Sequence, residues 1–221
     1  MKQFKGVIFD CDGVLVDSEK LALEIELDVL AELGLTFERD DYVLRFMGLS
    51  TEAFRAAIEE ESLKRLGRSI AAEVRGSERL RQVMIEQLTE VPGALAAIAT
   101  LKKPKAIASS GSRAGLERKL KQTGLWEHFA PHIYSADHVS RAKPAPDLFL
   151  HAAAALGLAP QDCLVLEDSV NGVIGAKAAG MTVWGFLGGG HAHERLGQRL
   201  LAAGVERVVK DWQEVGGLLA F

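Results

Sequence analysis

The stretch Gly6-Val7-Ile8-Phe9-Asp10-Cys11-Asp12-Gly13 decides how this 221-residue chain is read, because a short apolar run stops abruptly at two carboxylates and a glycine. An apolar run of that length, closed by turn residues, reads as a buried strand rather than a helix. The same form recurs downstream. Candidate strands are Gly6 to Phe9, Lys105 to Ala108, His132 to Ser135, Cys163 to Leu166, Thr182 to Phe186 and Arg207 to Val209, with helical patterns in most of the gaps and no internal repeat. This alternation predicts an α/β fold, a Rossmann-like three-layer core around a mostly parallel sheet.

One gap breaks the rhythm. Between the first and second candidate strands lie roughly ninety residues, several times what a crossover helix requires, so something is inserted there. The insertion reads as helical. Glu19 to Leu33 carries Leu23, Leu27 and Leu30 at helical spacing and stops at Gly34. Thr51 to Leu66 follows a Ser50/Thr51 cap and ends at Gly67, and Ser69 to Leu88 runs up to the breaker Val91-Pro92-Gly93. The sequence therefore predicts a helical cap over residues 16–87 on a core formed by 1–15 and 88–221, joined by two chain crossings able to act as a hinge. An insertion just after the first strand overhangs the edge where open α/β sheets bind ligands, which favours a lid over a decorative lobe.

Composition narrows the classes of function. A hydrophobic content of 48% supports a full core and argues against disorder. The 26 basic and 30 acidic residues are interspersed and give a net charge of -4, without the basic stripe that a nucleic-acid partner requires. The first residues run from Met-Lys-Gln-Phe-Lys-Gly straight into the first strand, with no signal-like segment and no membrane-spanning run, so a cytoplasmic protein without a membrane partner is expected. Cys11 and Cys163 show neither a metal-ligand spacing nor a disulfide framework and read as buried small apolar side chains.

The polar residues that carry chemistry sit directly after the candidate strands, where the switch-point rule places ligands. Phe9 leads into Asp10-Cys11-Asp12-Gly13, Ala108 into Ser109-Ser110-Gly111-Ser112, and Leu166 into Glu167-Asp168-Ser169-Val170-Asn171-Gly172. Lys143 stands in the irregular Arg141-Ala142-Lys143-Pro144-Ala145-Pro146-Asp147, just ahead of a helix. In a parallel sheet with these strands adjacent, Asp10, Asp12, Glu167 and Asp168 converge, and like charges about 4 Å apart repel by roughly 4 kcal/mol even at an effective dielectric near 20. Such a cluster calls for a counterion, and an all-oxygen donor set selects a hard ion such as Mg2+. With Lys143 as a further cation and the Ser109 hydroxyl and neighbouring amides as donors, the crevice reads as a phosphate cradle around a nucleophile. Each segment alone has an ordinary explanation: a turn at Asp-x-Asp-Gly, a helix cap in Ser109-Ser110-Gly111-Ser112, a solvated Lys143, a cap at Asp168 or Ser169. Their joint order and strand-end placement carry the functional reading.

In these segments the chain resembles the haloacid dehalogenase superfamily, in particular the helical-cap branch that includes β-phosphoglucomutase, phosphoglycolate phosphatase and sugar-phosphate phosphatases. Its four motifs are matched in order by Phe9 to Glu19, by Ile107-Ala108-Ser109-Ser110, by Lys143-Pro144-Ala145-Pro146-Asp147 and by Leu166 to Gly172. The resemblance implies that Asp10 is the nucleophile and a magnesium ligand, and that Asp12 is the general acid and base whose backbone carbonyl also binds the metal. It implies that Ser109 and Lys143 hold the transferring phosphoryl group, that Asp168 ligates the metal, and that Glu167 and Asn171 belong to the metal site from its outer side. Candidate substrate contacts are Ser109, Ser110 and Lys143 and, in the cap loop, Gly48 and Leu49. The activity implied is Mg2+-dependent hydrolysis of a small phosphorylated metabolite, a sugar, polyol or related ester, by a monomer or weak homo-oligomer.

Three rivals are weighed against it. The name-giving dehalogenases lack a second acid at the position of Asp12. A phosphosugar mutase of the β-phosphoglucomutase kind keeps both acids, but it carries a histidine where Ala22 stands and an arginine in the cap loop where Gly48-Leu49-Ser50-Thr51 offers Thr51. A phospho-receiver module uses similar groups in a different order and has no helical insertion. Hydrolysis ranks first. The segment Gly188-Gly189-Gly190-His191-Ala192-His193 either borders the pocket or is a surface loop, its two histidines making no metal site, while Arg45 and Arg113 read as solvated helix faces.

Overall fold

Six strands form one parallel sheet in a computed structural model that describes residues 3–46, 51–74 and 78–219. They are β1 (Gly6–Phe9), β2 (Lys105–Ser109), β3 (Ile133–Ser135), β4 (Cys163–Glu167), β5 (Thr182–Phe186) and β6 (Arg207–Val209). Their spatial order is β3-β2-β1-β4-β5-β6, so the chain winds outward from β1 on one side and then outward from β4 on the other. The topological switch therefore falls between β1 and β4, and side chains just beyond their carboxyl ends share one crevice.

Both faces of this sheet are covered, which is why β1 and β4 are apolar at successive positions instead of alternating. Ile8, Ala106, Val165 and Val183 stand in register and turn to one face, where they pack with Leu148, Phe149, Val173 and Leu200 from the helices Asp147–Ala155, Val170–Ala178 and Glu194–Ala203. Phe9 turns to the other face, its ring centroid 5.7 Å from both Phe129 and Trp212. Helix, sheet and helix make the three layers.

Contacts divide the chain into two compact units, Met1–Asp17 with Thr89–Phe221, and Ser18–Leu88. Val16 and Asp17 group with the sheet because the outgoing chain pairs with the returning one: Asp17 N donates to Thr89 O at 3.0 Å and Val91 N to Leu15 O at 2.9 Å. The second unit is helical, with Ser18–Glu32, Arg39–Phe46, Thr51–Leu66, Ala71–Val74 and Glu78–Gln87. Its core gathers Leu23, Leu30, Tyr42, Phe46, Phe54 and Ile58, and the buried Tyr42 hydroxyl donates to Glu26 at 2.6 Å. Helix Arg39–Phe46 is absent from the sequence reading, because half of its eight residues are charged and the run is short; its buried residues include Tyr42, Val43 and Phe46. The single run expected from Ser69 to Leu88 is represented by Ala71–Val74 and Glu78–Gln87, on either side of 75–77, which lie outside the described residues. No helix among the described residues is long and apolar enough to cross a membrane.

Candidate active site

Asp10 follows β1 directly, and its backbone N–H donates to Leu166 O at 2.9 Å, extending the β1–β4 pairing to the first carboxylate. On the neighbouring strand the ladder runs one residue past the apolar stretch, so that Glu167 is itself in β4 and Asp168 follows it. Asp10, Glu167 and Asp168 are all buried, and one carboxylate oxygen from each lies within 4.8 Å of the others. Two glycines make room. At Gly13, whose φ is +77°, a β-carbon would meet Asp168 Oδ2 at 1.9 Å, and at Gly172 it would meet the Glu167 carboxyl at 2.0 Å.

Lys143 inserts its ammonium between two of these groups, 2.5 Å from Asp10 Oδ1 and 2.7 Å from Glu167 Oε2, with its side chain only 3% exposed. Glu167 is held on its other oxygen too, since Oε1 accepts from the Ser169 hydroxyl at 2.7 Å and from Ser169 N at 3.0 Å. Ser169 in turn accepts from Gly172 N at 3.1 Å and caps helix Val170–Ala178. Burial, reinforced by the charge of Glu167 and opposed by Lys143, pushes the Asp10 carboxyl up to about 7. Burial likewise raises Glu167 and Asp168, against the pull of Lys143 on the first and of His191 on the second. For Lys143 burial works downward, but Asp10 and Glu167 outweigh it and hold the ammonium above the usual lysine range.

The remaining candidates take different places. Asp12 pairs through Oδ1 with Lys119 of helix Arg113–Gln122 and stands outside the group of three acids whose oxygens lie within 4.8 Å of one another. Ser109 is buried at the end of β2, where its hydroxyl accepts from Gly111 N at 3.1 Å, and Ser110 beside it is exposed. Ser112 caps the following helix through Gly115 N at 3.3 Å, so this segment is both strand end and helix cap. Asn171 is exposed on the first turn of its helix. Gly48 and Leu49 lie outside the described residues. Arg45 is tied to Glu61 at 2.5 Å and Asp41 at 3.4 Å inside the helical unit, and Arg113 is exposed. Cys11 and Cys163 are buried free thiols.

Lys119 and His191 carry weight that the sequence reading did not give them. Lys119 sits in a basic helical run with no marker to distinguish it from Lys121. His191 is buried with Nε2 3.1 Å from Asp168 Oδ2, so the loop 188–193 borders the acidic cluster.

Three buried acids at the switch point, two of them bound to one buried lysine, agree with the match of residues 4–180 to the model of the haloacid dehalogenase-like hydrolases. The chain belongs to that family. Among curated relatives, it is 37% identical over 188 residues to hexitol phosphatase A of Escherichia coli (strain K12), spanning 81% of each chain. It is 28% identical over 191 residues to 6-phosphogluconate phosphatase of the same organism, spanning 86% of each. Among solved structures, a haloacid dehalogenase-like protein of unknown function from Agrobacterium tumefaciens superposes with a TM-score of 0.89 at 37% identity, covering 98% of both chains.

Proposed function

We propose that the chain is a magnesium-dependent phosphatase that hydrolyses a small phosphorylated metabolite, a sugar, polyol or related ester, through an aspartyl-phosphate on Asp10. The observation that carries this reading is the buried group of Asp10, Glu167 and Asp168 with Lys143 inside it. When all three carboxylates are ionised, the one ammonium leaves two negative charges unbalanced in a site with little access to water, a state that calls for a divalent cation. The donors are oxygens, which fits magnesium and disfavours soft metals. Glu167 already has Lys143 on one oxygen and Ser169 on the other, so Asp10, Asp168 and the Asp12 carbonyl would hold the ion, with Glu167 and Asn171 supporting them from outside. Bound there, magnesium supplies charge neutralisation for the phosphoryl oxygens.

The chain's own residues divide the remaining work. Asp10 attacks phosphorus as the ester P–O bond breaks, and Asp12 gives its proton to the departing oxygen. Water then attacks the phosphorus of the aspartyl-phosphate, loses a proton to Asp12, and releases phosphate with Asp10 restored. Lys143 stands beside the nucleophile and holds a phosphoryl oxygen, and the Ser109 hydroxyl, which already accepts from Gly111 N, keeps its own proton to donate to another. Acid-base help of this kind is worth roughly 10² to 10⁴ in rate, so most of a barrier reduction that reaches about 20 kcal/mol for phosphate monoesters falls to positioning and charge neutralisation.

A hexitol phosphatase and a 6-phosphogluconate phosphatase among the relatives support a polyol or sugar-type substrate. Ala22 and Thr51, where the resembling mutase has histidine and arginine, support hydrolysis over phosphoryl return. The test is a panel of phosphorylated sugars, polyols and sugar acids assayed for phosphate release with magnesium, alongside interconversion of hexose 1- and 6-phosphates. Release that stops on chelation and is absent in Asp10→Asn is expected; robust interconversion would reverse the order of hydrolase and mutase.

A further inference from the structure

The loop after β5 approaches the acidic cluster through a chain of specific contacts. Gly190 N donates to Asp17 Oδ1 at 2.8 Å, and Ala192 N to Gly189 O at 2.9 Å, which ties the loop to the segment leaving β1 and closes it into a turn. The His191 ring is seated against two glycines. A β-carbon on Gly13 would lie 2.7 Å from its Cε1, and one on Gly189 would lie 2.9 Å from its Cε1 and Nδ1 and 2.6 Å from Gly13 O. In that seat the imidazole is 8% exposed and its Nε2 is 3.1 Å from Asp168 Oδ2. A carboxylate only accepts, so Nε2 carries the hydrogen of this contact.

We infer that His191 is a positioning residue for the cation site: its Nε2–H fixes Asp168 Oδ2, so that Asp168 turns its other oxygen to the metal. The inference rests on the magnesium reading above and deepens it. Among the described contacts the Asp168 carboxylate is held by His191, whereas the side chain of Glu167 before it is anchored at three points, by Lys143 and by the backbone and hydroxyl of Ser169, and that of Ser169 after it is anchored to Glu167 and Gly172. Partners that orient a metal-binding carboxylate are worth roughly 10- to 100-fold in metal affinity or activity. Removing the donor therefore weakens magnesium and leaves the reacting groups Asp10, Asp12 and Lys143 in place.

The experiment compares the parent with His191→Phe, His191→Ala and His191→Gln, and reads the magnesium concentration for half-maximal thermal stabilisation and for half-maximal phosphate release. His191→Phe keeps a ring in the seat and loses the donor; it is expected to raise both concentrations about 10- to 100-fold, with kcat at saturating magnesium changed much less. His191→Ala is expected to behave alike, and His191→Gln, which regains an N–H at the same reach, to return toward the parent. If His191→Ala fails to fold, the Phe and Gln pair decides alone. A parent that responds to magnesium alongside a His191→Phe variant with unchanged constants overturns the role of His191 only. A parent with no magnesium response overturns the metal reading and this inference together.

Discussion

Gly13 leaves the space that Asp168 fills, since a β-carbon there would lie 1.9 Å from Asp168 Oδ2. Gly13 also has a φ of +77°, in the left-handed region, where an L-residue pays about 1–2 kcal/mol. Gly13→Ala combines both effects, and relief of the contact moves the carboxylate out of the cluster. The expected result is loss of magnesium-dependent phosphate release together with a lowered Tm. Gly157→Ala is the control, having a φ of +68° and nothing within 4 Å of the added carbon. It should lower Tm through backbone strain alone and keep its activity.

Lys143 is the only ammonium set between Asp10 and Glu167 among the described contacts, and Lys143→Met leaves two buried carboxylates facing each other. Breaking one side of a buried ion pair costs about 3–5 kcal/mol, an upper bound here because either acid relieves the repulsion by taking a proton. That relief gives the loss a pH dependence. Denaturant unfolding of the variant and the parent should differ little at pH 5 and much more at pH 8, and turnover should be absent at both.

The sheet and its chemistry were legible to different depths. Strands β1, β5 and β6 run over the residues expected from their apolar stretches, while β2 and β4 each extend one residue further, to Ser109 and Glu167. There the ladder continues, Ser109 beside Ser135 and Glu167 beside Gly185, although hydrophobicity has ended. The neighbourhood of Asp10, Glu167 and Asp168 follows from strand-end placement once β1 and β4 are adjacent, whereas Lys143 stands in the irregular segment before helix Asp147–Ala155 and enters the sequence reading through the order of the motifs. Lys119 and His191 have neither signal. Lys119 is marked out from the other basic residues of its helix only by the way Leu116 and Leu120 are buried, and a loop containing three glycines does not disclose which way its histidine turns.

Metal binding and pH are linked through the same carboxylates. Asp10 is raised from 3.8 to about 7, so without metal its contribution to stability is complete below pH 4 and is lost as the pH rises through 7. Glu167 and Asp168 are shifted in the same direction, whereas Lys143 stays charged throughout this window. Magnesium needs the ionised acids, so its binding displaces protons and strengthens as the pH rises. The gain in Tm on adding a fixed magnesium concentration should therefore be small at pH 5 and large at pH 8. A gain that is flat across that range would separate the metal from these carboxylates.

The Lys119–Asp12 pair predicts an effect on rate with little effect on stability. The two side chains are 23% and 22% exposed, and ion pairs with such access to solvent contribute at most about 1 kcal/mol. Lys119 nonetheless fixes the direction of the carboxylate proposed to move the proton, beside the Ser109–Gly111 turn, where a β-carbon on Gly111 would lie 4.0 Å from Asp12 Oδ2. Lys119→Met should lower kcat by roughly 10-fold or more, within the 10² to 10⁴ available to acid-base catalysis, with Tm nearly unchanged and Lys119→Arg largely restoring the rate. Because the lysine acts through Asp12, adding Lys119→Met to Asp12→Asn should cost almost nothing further. If the two losses multiply, Lys119 has a separate role, and contact with the substrate itself becomes the explanation to pursue.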